Sequence, residues 1–182
     1  MTIPKSTTAL AYAAFLLLGM PAAPVNAADL PPLSHRLTKQ APKPAPALKL
    51  QDLDASPRDL ATLKGKVVLI NFWATWCPPC RREMPSMERL SQALAGEAFA
   101  VLAVDVGEDA DTIQAFTSQL DVTPTFPILL DTRSHAMHAW KVAGLPTTFL
   151  VDQQGRIVAS AIGGREFDHP EIEQAIRQLL KK

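Results

Sequence analysis

The pattern of apolar and polar residues along the chain alternates between buried strands and amphipathic helices. Val67–Trp73 is an almost unbroken apolar run, which is typical of a central strand covered on both faces. In residues 77–95 the apolar residues recur at spacings of three and four, which predicts a helix with one buried face. A second apolar run at 98–105 predicts another buried strand. This strand–helix–strand order is typical of an α/β protein.

The rest of the chain from residue 47 onwards continues the alternation and closes with a β-hairpin and a helix. The predicted elements are a strand at 48–53, a helix at 109–120, a strand at 126–130, a helix at 134–141, strands at 147–151 and 156–161, and a helix at 169–180. We expect Asp109 or Asp111 to cap the first of these helices, and residues 152–155 to form the hairpin turn. Together these elements predict an α/β fold with a central mixed β-sheet flanked by helices.

The N-terminal residues have the features of an export signal. Lys5 precedes an apolar stretch at 9–20, and a small-x-small pattern, Val-Asn-Ala, follows it, so we predict a signal peptide at 1–27. The alternative is that the segment stays uncleaved as a membrane anchor, although Pro21 and Pro24 interrupt its apolar run. In both cases we expect the protein outside the cytoplasm, in the periplasm.

The next segment, residues 28–46, contains five prolines and little apolar pattern. Such a composition cannot bury a core and favours extended conformations. We therefore interpret it as a Pro-rich linker and place the folded domain at 47–182, a length that suits one domain.

Composition narrows the function of this domain. The chain has 18 basic and 18 acidic residues and a formal net charge of zero, without a basic run, so nothing indicates binding to nucleic acid. Only two cysteines occur, Cys77 and Cys80, which is too few for a disulfide scaffold. Their spacing is typical of redox chemistry.

The chemistry of this pair follows from its place at the start of a predicted helix. Helix dipoles put partial positive charge around Cys77, which favours the thiolate that attacks a disulfide. Cys80 lies one turn further on, within reach to resolve a mixed disulfide, and we expect it to be the less exposed of the two. Pro78 and Pro79 are compatible with this position because first-turn amides have no partner in the helix.

Cysteine pairs have other uses in proteins, and the sequence bears on each of them. A zinc site would need a second pair of ligands, and the four histidines are scattered along the sequence, so no metal site is predicted. A structural disulfide across so short a loop would add little stability. Binding of copper(I) by the two thiolates remains the alternative from a different functional class. The Thr-x-x-Cys pattern of peroxidases of this kind is absent.

Two segments resemble one known family. Residues 65–80, which end in Trp-Cys-Pro-Pro-Cys, and residues 144–152, Gly-Leu-Pro-Thr-Thr-Phe-Leu-Val-Asp, are similar in order and spacing to the two signatures of the TlpA/ResA-like extracytoplasmic thioredoxins, which are related to DsbE/CcmG. The resemblance implies a thioredoxin-like fold with a strand–helix insertion in the middle, expected here within 109–141. It covers the domain from residue 47 onwards.

The resemblance also implies roles for single residues. Pro146 matches the cis-proline beside the active-site disulfide, where the backbone of Leu145 is available to pair with a substrate peptide. Trp76 matches the tryptophan that forms a flat apolar platform at the substrate-docking surface. Trp73 matches a tryptophan with a packing role, and Pro85 matches the proline that kinks the first long helix.

One departure from ordinary thioredoxins concerns the acid that exchanges protons with the second thiol. Asn71 stands where thioredoxins have a buried aspartate, and Glu83 occupies the place of a glutamate that the TlpA/ResA-like group has instead. The resemblance implies that Glu83, one turn after Cys80, tunes the acidity of the thiols or moves a proton. The alternative is a surface glutamate in a charged turn beside Arg81 and Arg82.

The function expected from these observations is reduction of protein disulfides by dithiol–disulfide exchange, with the cysteine pair itself as the redox group and no separate cofactor. The family implies a membrane electron-transfer protein as the source of reductant. It also implies protein clients such as the haem-binding cysteines of apocytochrome c or the copper sites of cytochrome oxidase. Exchange in the opposite direction, as a disulfide donor, is the alternative, since direction depends on a reduction potential.

Overall fold

The structure, a computed structural model, describes residues 32–181 of the chain. The predicted signal peptide at 1–27 and the first residues of the predicted linker lie outside this range. Inside it, none of the helices combines the length and the apolar character that crossing a membrane requires.

Residues 32–181 form eight β-strands and four α-helices. In chain order they are β1 (Thr38–Pro44), β2 (Lys49–Gln51), β3 (Pro57–Asp59), β4 (Val67–Trp73), α1 (Pro78–Ala93), β5 (Phe99–Val106), α2 (Ala110–Thr117), β6 (Ile128–Asp131), α3 (His135–Ala139), β7 (Thr147–Val151), β8 (Arg156–Ile162) and α4 (Pro170–Leu180). A 3-10 helix at Leu60–Leu63 connects β3 to the turn before β4.

Six of the strands form one sheet in the order β1-β8-β7-β4-β5-β6. The neighbours among β4, β5 and β6 are parallel, whereas β7 and β8 and then β1 join the sheet as antiparallel strands. The predicted α/β fold with a mixed central sheet is therefore confirmed. Between β5 and β7 the chain forms α2, β6 and α3, the region in which the strand–helix insertion was expected.

β4 forms the centre of the core, and all seven of its residues are buried. Their side chains alternate between the faces of the sheet. Leu69 and Trp73 belong to the cluster that includes the apolar residues of α1 and α4, whereas Ile70 and Phe72 pack on the other face. Each such side chain removed from water stabilises the fold by roughly 1.5–3 kcal/mol. The segment that follows Trp73 is therefore attached to a fully buried, well-packed strand.

The predicted helices are confirmed with small shifts of their ends. The buried face of α1 carries Met84, Met87 and Leu90, as the spacing of three and four predicted. Of the two expected N-caps of α2, Asp109 is the one observed, and its side chain accepts a hydrogen bond from the backbone N–H of Thr112 at 2.9 Å.

The interpretation of residues 28–46 as a linker is wrong for residues 38–44. These residues form β1, which pairs antiparallel with β8, with an irregularity in register between Lys39 and Lys43. β8 would otherwise leave a row of backbone N–H and C=O groups without partners at the edge of the sheet. An edge strand with one free side tolerates proline, which is why the prolines of this segment do not prevent pairing. The domain therefore starts before residue 38.

The strand predicted at 48–53 is shorter and lies outside the main sheet. β2 pairs with β3 in a separate two-stranded sheet. The sequence pattern did not predict β3, a three-residue strand with a largely exposed surface that leaves no apolar alternation to detect.

Candidate active site

The two cysteines lie where β4 ends and α1 begins. They form a disulfide with an S–S distance of 2.02 Å and a Cα–Cα distance of 5.3 Å. Cys77 is the N-cap residue of α1, and a proline occupies the first position of the helix. This agrees with the expectation that proline is tolerated in the first turn, where backbone N–H groups have no partner in the helix. Cys77 is 3% exposed and Cys80 is fully buried, which agrees with the predicted order of exposure. Cys77 is therefore the sulfur nearer to solvent, at the positive end of the helix dipole.

The Leu145–Pro146 peptide bond is cis, as the resemblance implied. Pro146 directly precedes β7, whose first residue, Thr147, lies opposite Phe72 near the end of β4. The carbonyl of Pro146 accepts a hydrogen bond from the N–H of Gly163 at 2.8 Å. The next residue, Gly164, packs so closely on the active-site turn that an added Cβ would lie 3.3 Å from the carbonyl oxygen of Pro79. The cis-proline loop and the active-site turn thus lie at the same end of the sheet.

Two large apolar side chains are exposed at this end of the sheet. Trp76, next to Cys77, is 67% exposed, and Ile162, at the end of β8, is 66% exposed. Trp76 has the exposure expected of a docking platform, whereas nothing in the sequence pattern distinguishes Ile162 from the other apolar residues of its strand. Trp73, predicted to have a packing role, is fully buried with its ring centroid 5.7 Å from that of Phe116.

Glu83 is fully buried, so the alternative of a solvated surface glutamate is wrong. Its Oε1 accepts a hydrogen bond from Asn71 Nδ2 at 2.8 Å, and its Oε2 accepts one from the backbone N–H of Arg165 at 2.8 Å. Burial disfavours the carboxylate and raises the pKa of Glu83 to about 8, although these two donors and the charge of Arg165 act in the opposite direction. Glu83 thus combines burial with a pKa near the physiological range.

Asn71 connects this acid to the sheet. It lies opposite Thr148 in the pairing of β4 with β7, and its Nδ2 donates to Thr148 Oγ1 at 3.1 Å as well as to Glu83. Asn71 Oδ1 is buried and has no hydrogen-bond partner among the described residues. The amide therefore holds the carboxyl of Glu83 without adding a second titratable group.

A further acidic pair, Asp105 and Glu108, supports the loop that precedes Cys77 and was not predicted from the sequence. The carboxylate of Glu108 accepts hydrogen bonds from the backbone N–H and the Oγ1 of Thr75, both at 2.6 Å. The N–H of Glu108 in turn donates to Asp105 Oδ1 at 3.3 Å. Burial, together with the hydrogen bond and charge of Glu108, raises the pKa of Asp105 to about 8. The one feature of the sequence that could have indicated this pair is Asp105, a charged residue near the end of the otherwise apolar strand β5.

Arg165 is another residue that the sequence did not reveal. Besides its backbone contact with Glu83, its guanidinium donates to carbonyl oxygens of its own loop and of the N-terminal segment. Pro85 lies inside α1, as implied by the resemblance. Among residues 32–181, no three His, Cys, Asp or Glu side chains are arranged to hold a metal ion.

Comparison with known proteins places this geometry in a family. The family model described as the AhpC/TSA family matches residues 41–160. A thiol-disulfide oxidoreductase ResA of Geobacillus thermodenitrificans is 40% identical over 113 residues, which are 62% of this chain and 64% of that protein. A ResA of Bacillus thuringiensis is 36% identical over 140 residues, 77% of this chain and 76% of that protein. The chain thus spans a little under two thirds of the first of these relatives.

Solved structures agree with this assignment. A crystal structure of a thiol:disulfide interchange protein, a thioredoxin family protein from Chlorobium tepidum, superimposes with a TM-score of 0.66. The two chains are 27% identical, and the match covers 79% of this chain and 99% of the other. The family match, the ResA-like relatives and this shared architecture lead to one conclusion: the chain belongs to the AhpC/TSA family and has a thioredoxin-like fold.

Proposed function

We propose that this protein is an extracytoplasmic thiol–disulfide oxidoreductase that reduces disulfides in protein clients. One observation carries the proposal: the Cys77–Cys80 pair lies at the N-terminus of α1, and a buried acid, Glu83, lies one helical turn further on. The ResA relatives are named thiol-disulfide oxidoreductases, which supports the exchange chemistry.

The proposed reaction starts from the reduced protein. The thiolate of Cys77 attacks one sulfur of a client disulfide, forms a mixed disulfide and releases the other client sulfur as a thiolate. Cys80 then attacks Cys77 Sγ, which releases the second client sulfur and leaves the Cys77–Cys80 disulfide. Two electrons pass from the dithiol to the client, and a thiol reductant must return them before the next cycle.

Glu83 supplies the proton step of this reaction. Cys80 has to lose its proton before it attacks, and it is fully buried, so water reaches it poorly. An unperturbed cysteine has a pKa of about 8.5, and the pKa of Glu83 is about 8. Burial thus brings the acidity of Glu83 close to that of an ordinary thiol, which suits this carboxyl to exchange a proton with one. We assign Glu83 as the acceptor of the Cys80 proton.

Client binding is assigned to the exposed surface around the disulfide. Trp76 and Ile162 provide apolar area, and the backbone of Leu145, next to the cis bond, offers hydrogen bonds to an extended peptide. Such a surface accepts unfolded or flexible cysteine-containing segments, which suits apocytochrome c or the copper sites of cytochrome oxidase. The proposed donor of electrons is a membrane thiol-reductant protein.

The N-terminal sequence supports a location outside the cytoplasm. The positively charged start, the apolar stretch at 9–20 and the small-x-small ending fit an export signal. We therefore place the protein in the periplasm, either released after residue 27 or held at the membrane by that segment.

The experiment that tests the activity measures reduction of a peptide with one disulfide by the reduced protein, together with the equilibrium against a dithiol of known potential. Reduction of the peptide and a potential well below that of the peptide support the proposal. Oxidation of a reduced peptide by the disulfide form would establish a disulfide donor instead. Tight stoichiometric binding of copper(I) without any exchange would overturn the redox function in favour of copper binding.

A further inference from the structure

The segment before β1 lies against the active-site end of the molecule. We call residues 32–37 the strap. The N–H of Ser34 donates to the carbonyl of Gly164 at 3.2 Å, and the N–H of Glu166 donates to the carbonyl of Ser34 at 2.8 Å. We call residues 163–169, between β8 and α4, the loop after β8. The strap and this loop are therefore joined like two parallel strands, with hydrogen bonds on either side of Arg165.

The side chain of Arg165 closes this junction. Its Nε donates to the carbonyl of Arg36 in the strap at 2.7 Å. Its Nη1 donates to the carbonyls of Gly163 and Gly164, both at 2.9 Å, and its Nη2 donates to that of Ile162 at 3.2 Å. One planar guanidinium with several fixed donors can hold four carbonyls in this way, whereas a lysine ammonium lacks that geometry.

The same residue reaches the buried acid through its backbone. The N–H of Arg165 is one of two hydrogen-bond donors to the carboxyl of Glu83, and it binds Oε2 at 2.8 Å. The other donor, Asn71, is fixed by the pairing of β4 with β7. The position of Oε2 thus depends on a loop whose conformation the guanidinium holds.

The loop also touches the redox turn. An added Cβ at Gly164 would meet the side chain of Pro79 at 3.3 Å and that of Leu33, from the strap, at 2.5 Å. The strap, the loop and the turn between the two cysteines are therefore packed into one unit. Residues 32–37 and Arg165 both lie outside the 41–160 match to the family model.

We propose that Arg165 is a positioning residue for Glu83: its guanidinium locks the loop after β8 to the strap and so keeps its backbone N–H on the Glu83 carboxyl. The inference rests on the proposed proton-transfer role of Glu83 and extends it to a residue 82 positions away in sequence.

The charges around Glu83 make the effect measurable. Arg165 faces the acid from the loop after β8, and the charge of Arg165 favours the carboxylate. Cys80 precedes the acid by three positions on α1, and neither Cys80 nor Cys77 titrates in the disulfide form. From β4 and β7 the residues of this hydrogen-bonded network are the neutral Asn71 and Thr148. In the oxidised protein, loss of Arg165 therefore acts on the titration of Glu83 without interference from the thiols.

The experiment follows the Glu83 carboxyl by carbon-13 NMR against pH in the oxidised full-length protein. For Arg165→Gln we expect the titration midpoint to rise by about 1 pH unit, because a favourable charge and a fixed donor are both weakened. For Arg165→Lys, which keeps the charge without the planar fork, we expect an intermediate midpoint. Arg156→Gln is the matched control, since Arg156 pairs with Asp152 at 2.7 Å in the hairpin of β7 and β8 and should leave the midpoint unchanged.

Exchange kinetics at neutral pH give the second readout. Arg165→Gln should slow disulfide reduction about five- to tenfold, which is a part of the rate enhancement that general acid–base catalysis typically contributes. In a protein that already carries Glu83→Gln, the Arg165→Gln substitution should slow the reaction no further. An unchanged Glu83 midpoint in Arg165→Gln, or equal slowing in both backgrounds, would overturn the positioning role. The carboxyl titration needs no client, so it tests the role of Arg165 independently of the proposed reductase activity. If the proposed activity is wrong, the wild-type protein itself will fail to reduce the peptide disulfide.

Discussion

Glu83 has an environment in which burial and hydrogen bonding oppose each other. Burial penalises the carboxylate, and the two N–H donors and Arg165 favour it. The result is an acid that changes its protonation near pH 8, where an ordinary glutamate is already fully ionised. It lies on the same helix face as Cys80, three positions on, where side chains of a helix are neighbours. The titrations of the acid and of the thiols in the reduced protein should therefore be coupled.

Replacing Glu83 by glutamine tests this coupling. We expect Glu83→Gln to lower the thiol pKa values of the reduced protein by about 0.5 to 1 unit, because a carboxylate next to a thiolate disfavours both charges. The rate of alkylation against pH measures these values. Glu97→Gln, at an exposed glutamate that pairs with Arg177, is the control. Superimposable alkylation curves for wild type and Glu83→Gln would contradict the assignment.

The roles of the two cysteines give a second test at the residue scale. Cys77→Ser should abolish disulfide reduction, because the attacking thiolate at the helix start is lost. Cys80→Ser should accumulate mixed disulfides with clients, because no second thiol remains to resolve them. Non-reducing gel electrophoresis after incubation with a disulfide-containing protein detects the trapped species. Trapping by Cys77→Ser instead would reverse the two roles.

At the scale of elements, the active site depends on close packing between the loop after β8 and the turn that starts α1. Gly164→Ala would place a Cβ 3.3 Å from the backbone oxygen of Pro79, a contact that neither backbone relieves without moving. Leu33, although closer, is a flexible side chain and can rotate away. We expect Gly164→Ala to lower the free energy of unfolding by about 1–3 kcal/mol and to slow exchange.

Gly144→Ala is the control for this substitution. Gly144 has open space around the position of an added Cβ, and its φ angle is outside the left-handed region. Chemical denaturation and peptide-disulfide reduction measured on both variants compare the effects. Equal stability and equal rates for the two variants would show that the loop and the turn are not tightly packed.

β1 is the element whose contribution is most easily measured. A chain that starts at residue 47 lacks β1 and the strap, so β8 becomes an edge strand with unpaired backbone groups. We expect its thermal midpoint to be lower by several degrees, since about 1 kcal/mol corresponds to roughly 3 °C or more in a domain of this size. A chain that starts at residue 32 is the control, and equal midpoints would show that β1 adds nothing to stability.

For the whole molecule, two buried acids determine how stability depends on pH. Burial raises the pKa of Glu83 from 4.5 to about 8 and that of Asp105 from 3.8 to about 8. In this range the folded state binds more protons than the unfolded state, so the free energy of unfolding falls as pH rises. Burial tends to raise the pKa of Asp52, but its hydrogen bonds to Arg58 and to backbone N–H groups lower it overall, and hydrogen bonds from Thr112 lower the pKa of the exposed Asp109. These two residues act in the opposite direction only under more acidic conditions.

We therefore predict that the oxidised protein is more stable at pH 5 than at pH 8, by on the order of 2 kcal/mol or more. Urea unfolding at a series of pH values measures the difference. Glu83→Gln and Asp105→Asn should each flatten the curve, because each removes one of the two groups. A free energy of unfolding that is constant or rises from pH 5 to pH 8 would contradict the raised pKa values.

The sequence by itself determined the parts of this protein that depend on local pattern. The apolar run of β4 and the period of α1 follow from which side chains must leave water, and these patterns lie within single elements. The redox pair was also evident, because two cysteines three positions apart at a helix start fall within one short segment. The cis bond before Pro146 was expected from a motif, which is local information as well.

The tertiary structure alone decided the surroundings of these parts. Glu83 follows two arginines in the sequence, a context that left a surface glutamate as the alternative to the role implied by the resemblance, and only the packing of the loop after β8 on α1 buries it. β1 resembles a linker because an exposed edge strand needs no apolar alternation, and its partner β8 lies more than 100 residues away. Glu108 reaches Thr75, and Arg165 reaches both Glu83 and the strap, through contacts between distant segments. Such contacts depend on sheet register and loop closure, which the hydrophobic pattern of a single segment does not contain.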